Sequence, residues 1–148
     1  MKKLHIKLIL LFLFFATFST FAQVQKKKVM LKKIEFVSAT RGYQESVVIE
    51  KKTMEIKQSG ATPRDEKVKI RNADWKVFCN IVQQVDLKKM DKLKAPSEKS
   101  HVDAARASHF SITTSKGKFD SVGFDNYDAP NELMPLLKRL VASAKLKK

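Results

Sequence analysis

Lys32-Lys33-Ile34-Glu35-Phe36-Val37-Ser38-Ala39-Thr40-Arg41-Gly42-Tyr43-Gln44-Glu45-Ser46-Val47-Val48-Ile49-Glu50 is the stretch on which the fold turns. Ile34 and Phe36 alternate with Lys33 and Glu35, and Val47 and Ile49 stand on either side of Val48. A period of two belongs to a strand with one apolar face. Between the runs, Arg41-Gly42-Tyr43 supplies a reversal, because glycine reaches the positive φ that a tight turn often needs. Two antiparallel strands are therefore expected, and the chain repeats the device. Glu50-Lys51-Lys52-Thr53 forms the next turn, and Met54 and Ile56 continue the alternation between charged residues. A shorter run at Val68 and Ile70, after Gly60 and Pro63, predicts an edge strand whose lysines discourage pairing with a neighbouring molecule.

The period then lengthens. Trp75, Phe78, Ile81, Val82 and Val85 recur at helical spacing behind Asn72 or Asp74 as the cap. Cys79 falls one turn after Trp75 and beside Phe78 and Val82, where it reads as a small core filler; a nucleophile would need a base or a helix N-terminus beside it. Asp86 to Ser100 begins as a helical continuation through Leu87, Met90 and Leu93 and becomes a lysine-rich loop. Phe110, Ile112 and Thr114 alternate again, Lys116-Gly117 turns the chain, and Phe119 to Phe124 returns as a partner strand. The final stripe of Leu133, Leu136, Leu137, Leu140, Val141 and Ala144 is a helix, with Pro135 requiring either a distorted first turn or a start near Met134.

The order of strands, helix, two strands, helix defines an α+β domain in which two helices pack on one face of an antiparallel sheet. Val37 and Val48 lie out of phase with the core residues, so the other face is expected to be partly apolar and available to a ligand, a subunit or the long loop.

The N-terminus carries an address. Lys2, Lys3 and Lys7 precede an apolar run from Leu8 to Ala16, and Thr20-Phe21-Ala22 ends on a small residue before Gln23. That is the pattern of a cleaved secretory signal peptide over residues 1–22. An uncleaved anchor would need an apolar span of about 20 residues, whereas Lys7, Thr17, Ser19 and Thr20 confine the strongly apolar part. With no cysteine at the cleavage point, a lipid anchor is not expected. Residues 23–31 read as a basic tail and 32–148 as a single domain. A soluble protein of the periplasm or the extracellular space follows, with no transmembrane segment after cleavage.

The chain has 148 residues and a formal net charge of +15; without the leader, 27 Lys and Arg stand against 15 Asp and Glu, a net of +12. Such a surface attracts anionic polymers by its summed field, and the attraction fades with salt. Anionic polysaccharide, lipopolysaccharide, teichoic acid and a protein partner are admissible ligands, and nucleic acid is not excluded. Lysine far outnumbers arginine, which favours diffuse attraction over bidentate recognition. One cysteine cannot make an intramolecular disulfide, so packing must hold the fold.

Phe36-x-Ser38-x-Thr40-Arg41-Gly42-Tyr43, Asp74-Trp75, Lys94-Ala95-Pro96-Ser97, Asp103-Ala104-Ala105, Ser121-x-x-Phe124-Asp125 and Pro130 before a leucine-rich helix together make the chain resemble small uncharacterised secreted proteins of Bacteroidota. A leader ending Phe21-Ala22-Gln23 is similar to theirs as well. The resemblance spans most of the chain after the leader. It implies a cell-envelope or extracellular location and assigns no chemistry.

A glycine-rich phosphate loop, a paired-cysteine metal site, His-Glu-x-x-His and Gly-x-Ser-x-Gly are all missing from the sequence. His101, Asp103, Arg106 and His109 form a polar cluster before a strand, but at strand spacing His101 and His109 would lie roughly 25 Å apart, too far to share a metal. Asp125 and Asp128 surround Asn126-Tyr127 in a segment suited to turning the chain. Arg41 and Tyr43 at the first hairpin offer a cation and a flat aromatic face to an anion or a sugar. The candidate ligand-binding residues are thus Arg41, Tyr43, His101, Asp103, Arg106, His109 and Asp125, with no catalytic, metal or cofactor site expected. The function read from the sequence is a noncatalytic secreted or periplasmic binding module that engages an anionic envelope polymer or a protein partner. The alternative is a small envelope hydrolase or metal-dependent enzyme using His101, Asp103, His109 or Asp125.

Overall fold

The computed structural model describes residues 29–97, 99 and 105–146. The expected leader, residues 23–28 of the basic tail, and His101 and Asp103 lie outside the described residues. Four strands open the described chain: β1 (Leu31–Thr40), β2 (Tyr43–Glu50), β3 (Thr53–Gln58) and β4 (Arg64–Lys69). Helix α1 (Asn72–Gln83) and a 3-10 segment (Leu87–Lys92) lead to β5 (Ala107–Thr114), β6 (Gly117–Asp120) and β7 (Phe124–Asp125), and α2 (Met134–Ala144) follows. The fold is α+β with an antiparallel sheet, in the spatial order β4-β3-β2-β1-β5-β6, with β7 also paired to β5.

The decisive stretch forms the centre of this sheet. Phe36 stands opposite Val47 on β2 and opposite Phe110 on β5, so the residues sharing its phase are buried from both sides. Ile34, Phe36, Val47, Ile49, Met54, Ile56, Phe110 and Ile112 make the sheet's share of the core. Helix α1 adds Trp75, Phe78 and Val82, and α2 adds Leu136, Leu137, Leu140 and Ala144, to the same cluster. Phe36, Phe110 and Phe124 meet with ring centroids 5.3 to 6.4 Å apart. Burying a side chain of this size contributes about 2 kcal/mol each. Cys79 is partly buried against this core.

Two local expectations are corrected. The cap of α1 is Arg71, in extended conformation without a side-chain bond, rather than Asn72 or Asp74. Asp74 lies in the first turn, where its charge suits the positive helix end, and it accepts from Arg71 at 2.7 Å and from Arg139 of α2 at 2.6 Å. The expected return strand from Phe119 to Phe124 is interrupted, giving three strands between the helices instead of two. At the break the Ser121 hydroxyl accepts from the Phe110 amide at 2.9 Å, and Val122 N–H turns away to the Met90 carbonyl. β6 then pairs with one end of β5 and β7 with the other.

The remaining ends have local causes. Pro135 sits in the first turn of α2, where its missing N–H costs nothing. That helix ends at Lys145 in left-handed conformation, φ 52°, and Arg64 of β4 donates to the Ala144 carbonyl at 2.8 Å. The 3-10 segment buries Met90, lies along β6 and is capped by the Asp86 carboxylate, which accepts from Lys88 N–H.

On the opposite sheet face, Val37 and Val48 are partly buried as expected, but charge dominates. Strand register places Lys33, Lys57, Lys67, Lys69 and Lys118 there with Glu35, Glu50, Glu55, Asp65 and Asp120, five of each sign. Lys33 pairs with Glu35 at 2.8 Å and Lys67 with Glu55 at 2.5 Å. This face is electrically neutral, so the chain's positive excess lies elsewhere.

Candidate functional site

Glu45 is fully buried, and it lies on the core-facing side of β2, in phase with Val47 and Ile49. A carboxylate in such a place is costly unless donors surround it. Three do. The Tyr43 hydroxyl donates to Oε2 at 2.9 Å, Gln58 Nε2 to the same oxygen at 2.6 Å, and the Tyr127 hydroxyl to Oε1 at 2.6 Å. Tyr43 opens β2, Gln58 closes β3, and Tyr127 follows β7, so all three reach Glu45 at one end of the sheet. Burial and then the neighbouring Glu45 push both tyrosine hydroxyls above their ordinary range, Tyr127 more strongly.

Arg106, just before β5, lies over the rings of both tyrosines. Its Cζ lies 5.2 Å from the Tyr43 ring centroid and 4.8 Å from that of Tyr127, so one guanidinium is shared by two aromatic faces. Each ring is held in turn. Tyr127 stacks on Phe36 at 5.9 Å, and a Cβ at Gly60, where φ is +104°, would come within 3.1 Å of Tyr43 and press on its ring. Two hydrogen bonds between Arg106 and Asn126 fix the segment: Asn126 N–H donates to the Arg106 carbonyl at 2.8 Å, and Arg106 N–H donates to the side-chain Oδ1 of Asn126 at 3.1 Å. Among the described residues the guanidinium itself makes no hydrogen bond or ion pair, and the side chain is partly exposed.

The candidates from the sequence separate accordingly. Tyr43 and Arg106 come together. Asp125 lies in the neighbouring β7 but is buried, accepting from the Ser97 hydroxyl and from Lys99 N–H at 2.7 Å, so it ties the lysine-rich loop down rather than facing a ligand. Arg41 is exposed in the adjoining turn. His109 is exposed on the opposite, charge-balanced face, where it pairs in register with Val37, and so does not join the cluster. Among the described residues no group of three His, Cys, Asp or Glu side chains is arranged to hold a metal ion.

Glu45, Gln58 and Tyr127 were missed in the sequence, although two of them left a signal there. Glu45 occupies the apolar phase of Val47 and Ile49, and Gln58 that of Met54 and Ile56. A charge placed in phase with a core stripe demands partners. Tyr127 carried no such pattern.

Chemically, the carboxylate of Glu45 is enclosed and satisfied, which suits it to positioning rather than proton transfer. What the arrangement presents outward is a fixed cation between aromatic rings. Two hollows lie elsewhere: one of about 400 Å³ opens beside Gln58 and Arg64, and one of about 330 Å³ lies between β4 and the helices, beside Val68, Phe78 and Arg139. No protein family, curated protein or solved structure matches the chain.

Proposed function

We propose that the protein is a noncatalytic binding module of the cell envelope or extracellular space, and that its ligand is an anionic polysaccharide, the sugar region of lipopolysaccharide included. The observation that carries this reading is the uneven distribution of charge. The open sheet face balances its ions strand against strand, whereas Lys88, Lys89, Lys92 and Lys94 stand exposed within seven positions against Asp91 alone. Among the described residues, only Lys89 of these four has an ion-pair partner, Asp86 at 3.6 Å. A row of lysines, three of the four without an ion-pair partner among the described residues, suits a polymer of repeated charges better than a single small ligand. The 3-10 segment that carries most of the row lies along β6 and is anchored by buried Met90.

The resemblance to secreted proteins of Bacteroidota and the charged, apolar N-terminal pattern support the location. Among the described residues no helix is long and apolar enough to cross a membrane. Of the residues named for the hydrolase alternative, the two described ones stand apart, Asp125 buried on structural partners and His109 on the opposite sheet face.

Retention of the purified protein on immobilised lipopolysaccharide, heparin and DNA, at low and at physiological salt, tests the proposal. Retention on a polysaccharide that survives physiological salt is expected. Equal loss from all three with salt, or selective retention on DNA, would overturn it.

A further inference from the structure

We infer that Arg106, framed by Tyr43 and Tyr127, is a recognition point for a carboxylate-bearing sugar, such as a uronic acid unit; this deepens the reading of a polysaccharide ligand and rests on it. Both tyrosine hydroxyls are turned inward to Glu45, so they are spent on positioning and leave the rings as apolar walls. The guanidinium between the walls keeps its N–H donors uncommitted among the described residues. A planar fork of donors takes a carboxylate in its own plane through two parallel bonds.

The buried charge beneath decides between anions. Glu45 accepts from the hydroxyls of the same two tyrosines whose rings carry Arg106, so an anion drawn to Arg106 approaches a buried negative charge. A dianionic phosphate would bring two further charges toward Glu45, whereas a carboxylate brings one. The site therefore selects by donor geometry and shape more than by net charge, which distinguishes it from the lysine row.

The chain's two tyrosines are both in this site, so tyrosine ultraviolet difference spectra report occupancy directly. Titration with a short oligogalacturonate is expected to give a saturable tyrosine difference signal, with a neutral oligogalactoside of equal length and a sugar phosphate at least tenfold weaker. Arg106→Lys, which keeps the charge and loses the fork, should weaken oligogalacturonate binding at least tenfold, while changing Lys88, Lys89, Lys92 and Lys94 to Gln should leave the short ligand's affinity within about twofold. An absent signal with the unaltered protein, equal binding of the neutral sugar or the phosphate, or unchanged affinity in a folded Arg106→Lys would overturn the inference. Because the first two readings need no variant, a poorly folding Arg106→Lys does not remove the test. Loss of polymer retention in the lysine variant with the tyrosine signal intact would separate the broader reading from this one.

Discussion

The Tyr127 hydroxyl donates a 2.6 Å hydrogen bond to Oε1 of Glu45, a residue 82 positions earlier in the chain. This bond joins the segment after β7 to the second strand, and it closes the shell of donors that makes a fully buried carboxylate tolerable. Around it the structure organises the only arrangement of charge and aromatic faces that brings together residues singled out by the sequence, Tyr43 and Arg106, among the described residues.

Removing one partner should cost more than an ordinary surface change. Tyr127→Phe leaves Oε1 of Glu45 without its donor and is expected to lower stability by about 2 kcal/mol, and Glu45→Ala, which strands two hydroxyls and an amide, by about 3 kcal/mol. Urea denaturation followed by Trp75 fluorescence measures both. Losses below about 0.5 kcal/mol would mean that water satisfies the cluster as well as the protein does.

Alkaline titration reads the same site. Tyr43 and Tyr127 hold their hydroxyls above the ordinary value of 10.0, through burial first and Glu45 second. Raised folded values mean that their contribution to stability is complete below pH about 10 and is lost as the pH rises through those values. Tyrosinate absorbance should therefore lag behind that of the unfolded chain, and Glu45→Gln should bring it earlier. An unshifted titration in the folded protein would contradict the geometry.

At the other end of the sheet, Asp74 joins α1 to α2 through Arg139 and also pairs with Arg71. The bond from Arg71, more than any other influence, holds its carboxyl below the ordinary 3.8. A depressed folded value gives stability that is present above the unfolded value and lost as the pH falls through the folded one. Asp74→Asn is expected to be less stable than the unaltered protein at neutral pH and to converge with it in acid. Parallel stability curves down to acid pH would show that the ion pairs contribute nothing.

Gly60 links backbone to site. Its φ of +104° is one that other residues adopt only with strain, and a Cβ there would meet Tyr43 Cδ2 at 3.1 Å. Gly60→Ala should cost about 2 kcal/mol and disturb the near-ultraviolet circular dichroism of tyrosine. Gly42→Ala carries a strained φ but meets no atom within 4 Å, so it should destabilise while leaving the tyrosine signal in place.

The alternation of Ile34, Phe36, Val47, Ile49, Met54 and Ile56 was enough to read the sheet, since period-two burial is local information. The break after β6 was not legible, because it depends on the Ser121 hydroxyl meeting the amide of Phe110 and on Val122 N–H meeting the carbonyl of Met90. The site was half legible. Arg106 was singled out with the histidines near it in sequence, but strand register turns His109 to the opposite face and leaves Arg106 beside one tyrosine from the first hairpin and one from the segment after β7. A long-range pairing of this kind exists only after the sheet has formed. The charge balance of the open face was equally hidden, because it depends on which strands are neighbours.

The most direct measurement compares two multiple variants for retention on lipopolysaccharide across a salt series: Lys88, Lys89, Lys92 and Lys94 changed to Gln, and Lys33, Lys67 and Lys69 changed to Gln. The account predicts that the first set weakens retention and flattens its salt dependence, while the second leaves both close to those of the unaltered protein. Equal weakening by the two sets would contradict it, for then net charge alone, and not the lysine row beside β6, would bring the protein to its ligand.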